Sequence, residues 1–547
     1  MADRKTPQDL VAIFHASFHP TRGNIIDWSL KSSEDVDFDG LEFSALPSGL
    51  HLVEEDVIYF SKDGHQGVCI FRRRKTTEEG HRGFRLSSLG ILLQKSARPR
   101  PWVHTPALKY LTTQIYSKLE AANVLEPSPS DWEPAREFFE ARRAQSSSST
   151  TWHSWAAELD DVLHDASDPP AFHLPHLLRV LGPSSLPLYK HVLCRRRILI
   201  YTAPPVEAAC ILCHVAGDLC LEAQLTPDMG RASAPVEVLG IVTLAGLDRL
   251  AAPSMRGWVA CTTDALLRDK PACYDLLVDL TARPIMYAPR LLSTPSIQTS
   301  SSRSTVRFSW SDLRVWGEVE RLLRRDPSMP TPCACAPNTS EKSALAFSDF
   351  GRVYEDMCVV CASLWMQAWR GSSPTNDGQW GAIHLEGEDE LYVGPSSGTS
   401  HVRTLGLGIE GTPAARKTSN GSSTMAKLAG KGKARQSDPA PGDTGLSLEE
   451  DHIRRREAQL RLTLALLQTF HAHTLFQLSV LQDFLKENNE SSPLILLPKD
   501  MISFELGPWS ASDARYLGWL CDEYGGTQKV TVRRTWRDTL NFIFGYR

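Results

Sequence analysis

The pattern of apolar and polar positions is organised around residues 189–217, YKHVLCRRRILIYTAPPVEAACILCHVAG. Ile198 to Tyr201 is an unbroken apolar run bounded by turn signals, the pattern of a strand buried on both faces. Ala203-Pro204-Pro205 ends it, and proline is tolerated in the first turn of a helix, where its missing N–H would be unpaired anyway. Val206 to Ala216 is apolar on nearly every side, which predicts a buried helix, with Gly217 as its C-terminal stop. A buried strand feeding a buried helix is half of a βαβ unit and implies a parallel sheet.

Upstream, Val11 to Phe18 and Ile25 to Leu30 read as two strands joined by the turn composition His19-Pro20-Thr21-Arg22-Gly23-Asn24. Leu41 to Gly49 reads as a short helix ending at a glycine. Val57 to Phe60, Gly67 to Phe71 and Arg85 to Leu93 are further strands, and Ala107 to Ala122 is an amphipathic helix. An antiparallel sheet with one or two helices fits residues 11–95. Residues 126–151, with Pro127, Pro129 and the run Ser146 to Ser149, have the composition of a linker interrupted by a helix over 134–143.

Residues 152–282 continue the α/β pattern with strands at Val236 to Leu244, Trp258 to Thr262 and Tyr274 to Leu280, and a short helix at Asp264 to Arg268. Thr294 to Thr305 is disordered in character. Ser311 can cap a helix with Leu313, Trp316, Val319 and Leu323 on one side. Ser340 can cap another running to about Trp369. Residues 371–445 are rich in Gly, Ser, Thr and Pro and are expected to be disordered, because they cannot bury enough surface to offset their ordering entropy. Ser447 with Glu450 forms a capping box. It opens a helix to about Glu487 with an apolar stripe of Leu460, Leu464, Leu467, His471, Leu475, Leu478 and Leu485. Arg515 to Tyr524 is a further helix closed by Gly525-Gly526, and Thr535 to Tyr546 is a short aromatic-rich amphipathic segment.

Composition narrows the class. A chain of 547 residues is too long for one core, at roughly 100–200 residues per domain. The formal net charge of −5 gives no nucleic-acid signature. No apolar run approaches the roughly 20 residues of a membrane span. The start, MADRKTPQDL, holds no hydrophobic segment, so no signal peptide is expected. The twelve cysteines then read as reduced thiols, and a cytoplasmic protein is expected.

Each chemical motif fails on its context. Gly394-Pro395-Ser396-Ser397-Gly398 matches G-x-S-x-G, but no helix follows to expose the serine. Gly406-Leu407-Gly408-Ile409-Glu410-Gly411 matches G-x-G-x-x-G, but Pro413 and a polar tract follow instead of a phosphate-facing helix. Cys210-Ile211-Leu212-Cys213-His214 has the haem-attachment spacing yet lies in the apolar helix, where core cysteines explain it better. Cys333, Cys335, Cys358 and Cys361 form a weak zinc set. His471 and His473, two apart on a helix, point to different faces. Arg195, Arg196 and Arg197 are the candidate partner-binding residues, against the alternative of a helix C-terminus complemented by positive charge. The basic tract Arg416, Lys417, Lys427, Lys431, Lys433 and Arg435 reads as a solvated linker sooner than a lipid contact. No catalytic, metal or cofactor site is expected.

In order along the chain, FHPTRGNIIDW (18–28), LEFSALPSG (41–49), DVIYFSKDG (56–64), RGFRLSSLGILL (82–93), CRRRILIYTAPPV (194–206) and VACTTDALLRDKPACYDLLVDL (259–280) resemble the DENN-domain family, in its LCHN-like branch. LGPWSASDARYLGWLCDEYGG (506–526) is a weaker match, and the long insertion suits a fungal-type member. The resemblance implies a multidomain α/β and α+β protein. A longin-like antiparallel module would occupy 1–125, with a linker over 126–151, and a central α/β DENN module 152–282. A linker over 283–310, a helical segment over 311–370, a disordered insertion over 371–446 and a helical downstream module over 447–547 complete it. It further implies a guanine-nucleotide exchange factor or regulator for a Rab-type small GTPase in vesicle trafficking. The alternative is a non-catalytic adaptor that binds GTP-loaded Rab or a membrane complex. Such a protein would be cytoplasmic, with peripheral contact to intracellular membranes, and would need neither cofactor nor nucleic acid.

Overall fold

The computed structural model describes residues 7–76, 83–122, 127–144, 152, 154–162, 168–225, 235–252, 254–281, 285–289, 303–306, 308–324, 444–487, 494–508, 510–526 and 530–532. The helix expected over 340–369, the tract 371–443, the cysteine set, both glycine motifs, the basic tract and the segment 535–546 lie outside the described residues.

The first lobe is built by β1 (Leu10–His19), β2 (Gly23–Lys31), α1 (Leu41–Ala45), β3 (Glu55–Lys62), β4 (His65–Lys75), β5 (Phe84–Leu93), α2 (Thr105–Ala121) and α3 (Glu133–Arg142). Its strands pair antiparallel in the order β3-β4-β5-β1-β2. Asp63 and Gly64, both at positive φ, close the β3–β4 hairpin. Helix α1 stops at Ala45, short of the expected Gly49, because Pro47 follows and proline cannot continue a helix. Within the stretch expected as a linker, α3 packs on β1. Trp132 stacks on Trp28 at 4.9 Å, and Ala144 N donates to Leu10 O at 2.8 Å.

The second lobe follows with α4 (Trp155–Val162), α5 (Leu174–Leu181), α6 (Ser185–Leu193), β6 (Arg197–Tyr201), α7 (Glu207–Leu225), β7 (Glu237–Ile241), α8 (Leu247–Ala251), β8 (Trp258–Thr262), α9 (Ala265–Arg268), β9 (Leu276–Asp279), β10 (Ile285–Pro289) and β11 (Arg303–Thr305). Strands β9, β6, β8 and β7 are parallel neighbours, and β10 and β11 extend the sheet antiparallel. The apolar run of β6 is buried on both faces, as its sequence predicts. Ile198 and Ile200 join the cluster beneath α7, whereas Leu199 joins Trp258, Tyr274 and Leu277 on the other side.

Helix α7 departs from expectation. It runs through Gly217 and ends at Leu225. Gly217 is a point of close approach, since a Cβ there would stand 2.9 Å from Val238 Cγ2 of β7. Leu219, Cys220, Leu221 and Ala223 continue the buried pattern past it. By length and composition α7 could cross a membrane, contrary to the expectation that no run approaches a span. Some 83% of its apolar window is buried here, which makes it the central core helix.

Downstream come α10 (Trp310–Leu323), α11 (Thr444–Glu487), β12 (Leu494–Leu496), α12 (Pro498–Ser503), α13 (Ala511–Tyr524) and β13 (Val530–Val532). This part is helical with one small parallel pair, β12–β13. The cap of α10 is Ser309, two residues before the expected Ser311, and it forms a capping box with Asp312. Ser311 instead donates to Asp513 at 2.8 Å. Ser447 is not a cap, because α11 is already helical at Thr444. The buried face of α11 is Leu462, Leu466, Leu467, Phe470, Leu478 and Leu481, shared between α7 and α10, so most of the expected leucine stripe is only half-buried.

Helix α6 fastens these elements to the second lobe. Lys190 Nζ pairs with Asp312 at 2.6 Å and Asp513 at 2.7 Å, and Tyr189 Oη meets Thr474 Oγ1 at 2.7 Å. Lys190 is held above its ordinary pKa by those two carboxylates in spite of burial.

Candidate functional site

The two lobes share one sheet of eleven strands, joined where Phe60 of β3 pairs with Gly240 of β7. Gln66 Nε2 adds a bond to Val238 O at 2.6 Å. A second junction is polar. Asp56 of β3 accepts hydrogen bonds from Val206 N (2.7 Å) and Glu207 N (3.2 Å), the first free amides of α7. A first-lobe carboxylate thus caps a second-lobe helix 150 positions away.

Burial pushes the Asp56 carboxyl up to about 7, against those amide bonds, which pull it down. The folded value lies above the unfolded one, so the protonated form favours folding. That contribution is fully present below about pH 4 and is lost as pH rises through about 7. Asp56→Asn is expected to flatten the slope of stability between about pH 4 and 8, read by chemical denaturation across that range. Asp56→Ala strands the α7 amides and should cost about 1–3 kcal/mol.

Between the lobes, beside these junctions, lies a cleft of about 600 Å³. One wall is α1 and the segment after it, including Phe43, Leu46, Ser48 and Leu50, above Phe71 and Leu86 of the first sheet. The other is the pair of turns that leave the C-terminal ends of β7 and β8, with Thr243, Leu244, Ala245 and Asp264. In open α/β sheets this end of the strands is where ligands and partners are met. The walls are tied together. Thr263 Oγ1 donates to Ser48 O at 2.8 Å, and Asp264 Oδ2 accepts from Leu244 N at 3.3 Å, which fixes the Leu244 turn. Asn24 Nδ2 donates to Leu46 O at 3.1 Å and holds the opposite wall.

Large apolar side chains stand out of this region. Phe43 is 42%, Leu244 38%, Leu266 62% and Leu52 68% exposed. Leu52 follows the lining residue His51, and Leu266 lies two residues after Asp264. The arrangement suits the docking of a protein surface, with apolar anchors and a few hydrogen-bonding groups.

The residues singled out in the sequence fall elsewhere. Arg195 to Arg197 sit at the N-terminal end of β6, the opposite end of the strand from the cleft. Arg197 is held by Asp275, with Nη2 3.0 Å from Oδ1. Arg195 Nε pairs with Glu523 at 3.1 Å, and the Arg196 guanidinium lies over the Trp519 ring at 4.4 Å. Cys210, Cys213 and His214 are core residues. Cys210 Sγ is 3.5 Å from Cys261 Sγ, and His214 sits edge-on to Tyr59 and Trp102, with burial pushing its pKa down to about 3. His473 faces Tyr189 at 5.9 Å and is likewise driven down, to about 4. Among the described residues no cluster of His, Cys, Asp and Glu is suited to a metal. The cleft residues were missed because each is ordinary by itself. The one usable signal was position, a short turn directly after each parallel strand.

The comparisons with known proteins cover both lobes together. The chain is 28% identical to DENN domain-containing protein 11 of Xenopus laevis over 276 residues, 49% of this chain and 59% of that protein. It is 28% identical to the protein of the same name from Danio rerio over 279 residues, 49% of this chain and 53% of that one. Uncharacterized protein ANR2 of Saccharomyces cerevisiae is 25% identical over 300 residues, 50% of this chain and 58% of the yeast protein. The chain thus spans little more than half the length of the curated relatives it matches. The family model for DENN domain-containing protein 11 matches residues 13–289, from β1 through β10. With half of its length under that match and nearly all of both lobes inside it, the chain belongs to the DENN domain-containing protein 11 family.

Proposed function

We propose that this chain is a guanine-nucleotide exchange factor or regulator of a Rab-type small GTPase in membrane trafficking, and that the GTPase docks in the cleft between the two lobes. DENN-domain proteins in general regulate Rab-type GTPases, and the family match runs over both cleft walls. The observation that carries the reading to the cleft is its exposed apolar rim, contributed by both lobes, on a pocket whose walls are joined by the Thr263–Ser48 hydrogen bond.

Exchange needs a surface, not reactive groups. A factor that binds the nucleotide-free GTPase more tightly than the GDP-bound form weakens nucleotide binding by the same factor, about 1.4 kcal/mol for each tenfold change. The switch loops of a GTPase are held by phosphate and magnesium contacts, so a docked surface can displace them. The cytoplasm, with peripheral attachment to intracellular membranes, is the matching location.

The test is GDP release across a panel of Rab proteins. One GTPase should lose nucleotide faster in the presence of this chain and bind it best when empty. A GTPase captured only in its GTP-loaded form, without faster release, would mark a non-catalytic adaptor. Capture of none in any nucleotide state would end the reading. The double variant Phe43→Ser/Leu244→Asp should weaken the interaction by about tenfold or more, the usual scale for central apolar anchors. Its unfolding temperature should fall only modestly, since both side chains lie at the surface, Phe43 42% and Leu244 38% exposed.

A further inference from the structure

At the end of the parallel strands remote from the cleft, three arginines from two loops converge. Arg195 and Arg196 lie between α6 and β6, and Arg256 precedes β8. Arg195 adopts a positive φ of 49°. Its amide donates to Val192 O at 3.0 Å and that of Arg196 to His191 O at 2.9 Å, the closing bonds of α6. Glycine is the residue favoured at such a helix end. An arginine there accepts backbone strain, which is stored where a side chain is needed.

The charges around these arginines do not balance. Arg195 Nε and Arg256 Nη2 share one carboxylate, Glu523, at 3.1 and 3.7 Å. Arg196 lies over Trp519 and makes no hydrogen bond to a carboxylate among the described residues, although Asp275 and Asp522 act on it at longer range. Arg197, next in sequence, is already neutralised by Asp275. Among the described residues, Arg195 Nη1 and Arg196 Nε meet no hydrogen-bond acceptor although both atoms are buried. Arg256 is 54% exposed and turns its side chain to solvent beside them. Four guanidinium groups, those of Arg195 to Arg197 and Arg256, against the carboxylates of Glu523, Asp275 and Asp522 leave one net positive charge at one spot.

We propose that Arg195, Arg196 and Arg256 form a binding site for a phosphomonoester, presented by a phosphorylated peptide segment of a partner protein. A phosphomonoester carries about −1.5 to −2 charges at neutral pH, which the net positive charge of the cluster attracts. The planar fork of guanidinium hydrogen bonds suits its oxygens, and stacking on Trp519 fixes the plane of one fork in advance. A membrane surface fits less well. Anionic lipid is attracted by broad clusters of some 4–8 basic residues, whereas here Glu523 and Asp275 stand among the arginines. The site is separate from the cleft and does not rest on the GTPase reading.

The experiment uses the full chain and three probes. First, the unfolding temperature is followed in rising inorganic phosphate against chloride at matched ionic strength. Second, a short phosphoserine peptide and its unphosphorylated twin are titrated calorimetrically. Third, phosphatidylcholine vesicles with and without a phosphoinositide are co-sedimented with the protein. The proposal expects stabilisation by phosphate and heat only from the phosphopeptide, both lost by tenfold or more in Arg196→Gln/Arg256→Gln. An exposed arginine elsewhere, in Arg136→Gln, should change nothing. Should the double variant unfold early, Arg256→Lys alone serves. It keeps the charge but loses the fork, so phosphopeptide affinity should still drop. No difference between phosphopeptide and twin, equal binding by the double variant, or binding to phosphoinositide vesicles alone would each overturn it.

Discussion

Arg98→Met is expected to lower the stability of the chain by about 3–5 kcal/mol, the cost of leaving a buried charge without its partner. Arg98 lies after β5 and reaches into the second lobe. Its Nε is 3.0 Å from Glu158 Oε2 of α4, its Nη2 is 3.2 Å from Asp218 Oδ2 of α7, and its Nη1 also pairs with Asp218. Trp152 Nε1 donates to the same Glu158 oxygen at 3.0 Å, and Trp155 packs on the guanidinium at 4.6 Å. All three charged groups are buried, and the ion pairs of Arg98 reach across 60 positions to Glu158 and 120 to Asp218. The carboxylates of α4 and α7 would repel each other without the cation between them.

The pH dependence of this variant follows from Asp218. Burial pushes its carboxyl up to about 6 even with Arg98 present to pull it down. A folded value above the unfolded one means stability fully present below about pH 4 and lost as pH rises through about 6. Removing Arg98 takes away the main pull on the anion, so the deficit of the variant should widen with rising pH and shrink below about pH 5. Chemical denaturation at both ends of that range checks it. The triple variant Arg98→Met/Glu158→Gln/Asp218→Asn should recover much of the loss at neutral pH, because replacing a whole buried ion set is far milder than breaking it. Equal losses in the single and triple variants would mean that packing, not charge, is what Arg98 supplies.

How far the sequence disclosed this architecture depends on the range of the interactions. Strand β6 and the start of α7 were legible because burial on both faces writes a continuous apolar run, which needs no knowledge of neighbours. The hairpins of the first lobe were legible from their turns, Asp63-Gly64 above all. The face of α11 was not. Leu464 and Leu475 keep the right spacing, yet the helix is gripped from two sides, so burial shifts to Leu462, Leu466 and Phe470. Gly217 looked like a stop because glycine at the end of an apolar run usually is one. Only the position of Val238 shows that a missing Cβ, not a chain reversal, was needed. The arginine run was visible, but its division of labour depends on Glu523 and Trp519, more than 300 positions on. The cleft was hidden for the same reason. Phe43 and Leu244 become neighbours only once β3 has been laid beside β7.

That joint is the most vulnerable point of the sheet, and Gly240→Val is expected to disrupt it. Gly240 sits at an irregularity in the β7–β8 register, with a φ of +64°. A non-glycine residue held in such a conformation costs of order 1–3 kcal/mol. A Cβ at this position would also stand 2.2 Å from Tyr59 O, a backbone atom of β3 that cannot rotate away. Moving that backbone should add about 1–3 kcal/mol, as for overpacked cores. Because Phe60–Gly240 is the point of strand pairing between the lobes, the strain falls on the seam and not within either lobe. Hydrogen exchange should therefore show amides of β3 and β7 losing protection first, while those of β1, β5 and β6 keep theirs. The cleft is walled from both sides of this seam, so the GTPase docking proposed for it should weaken in the variant although every rim residue is intact. Uniform loss of protection across both lobes would show that they unfold as one cooperative body and that the seam carries no separate weakness.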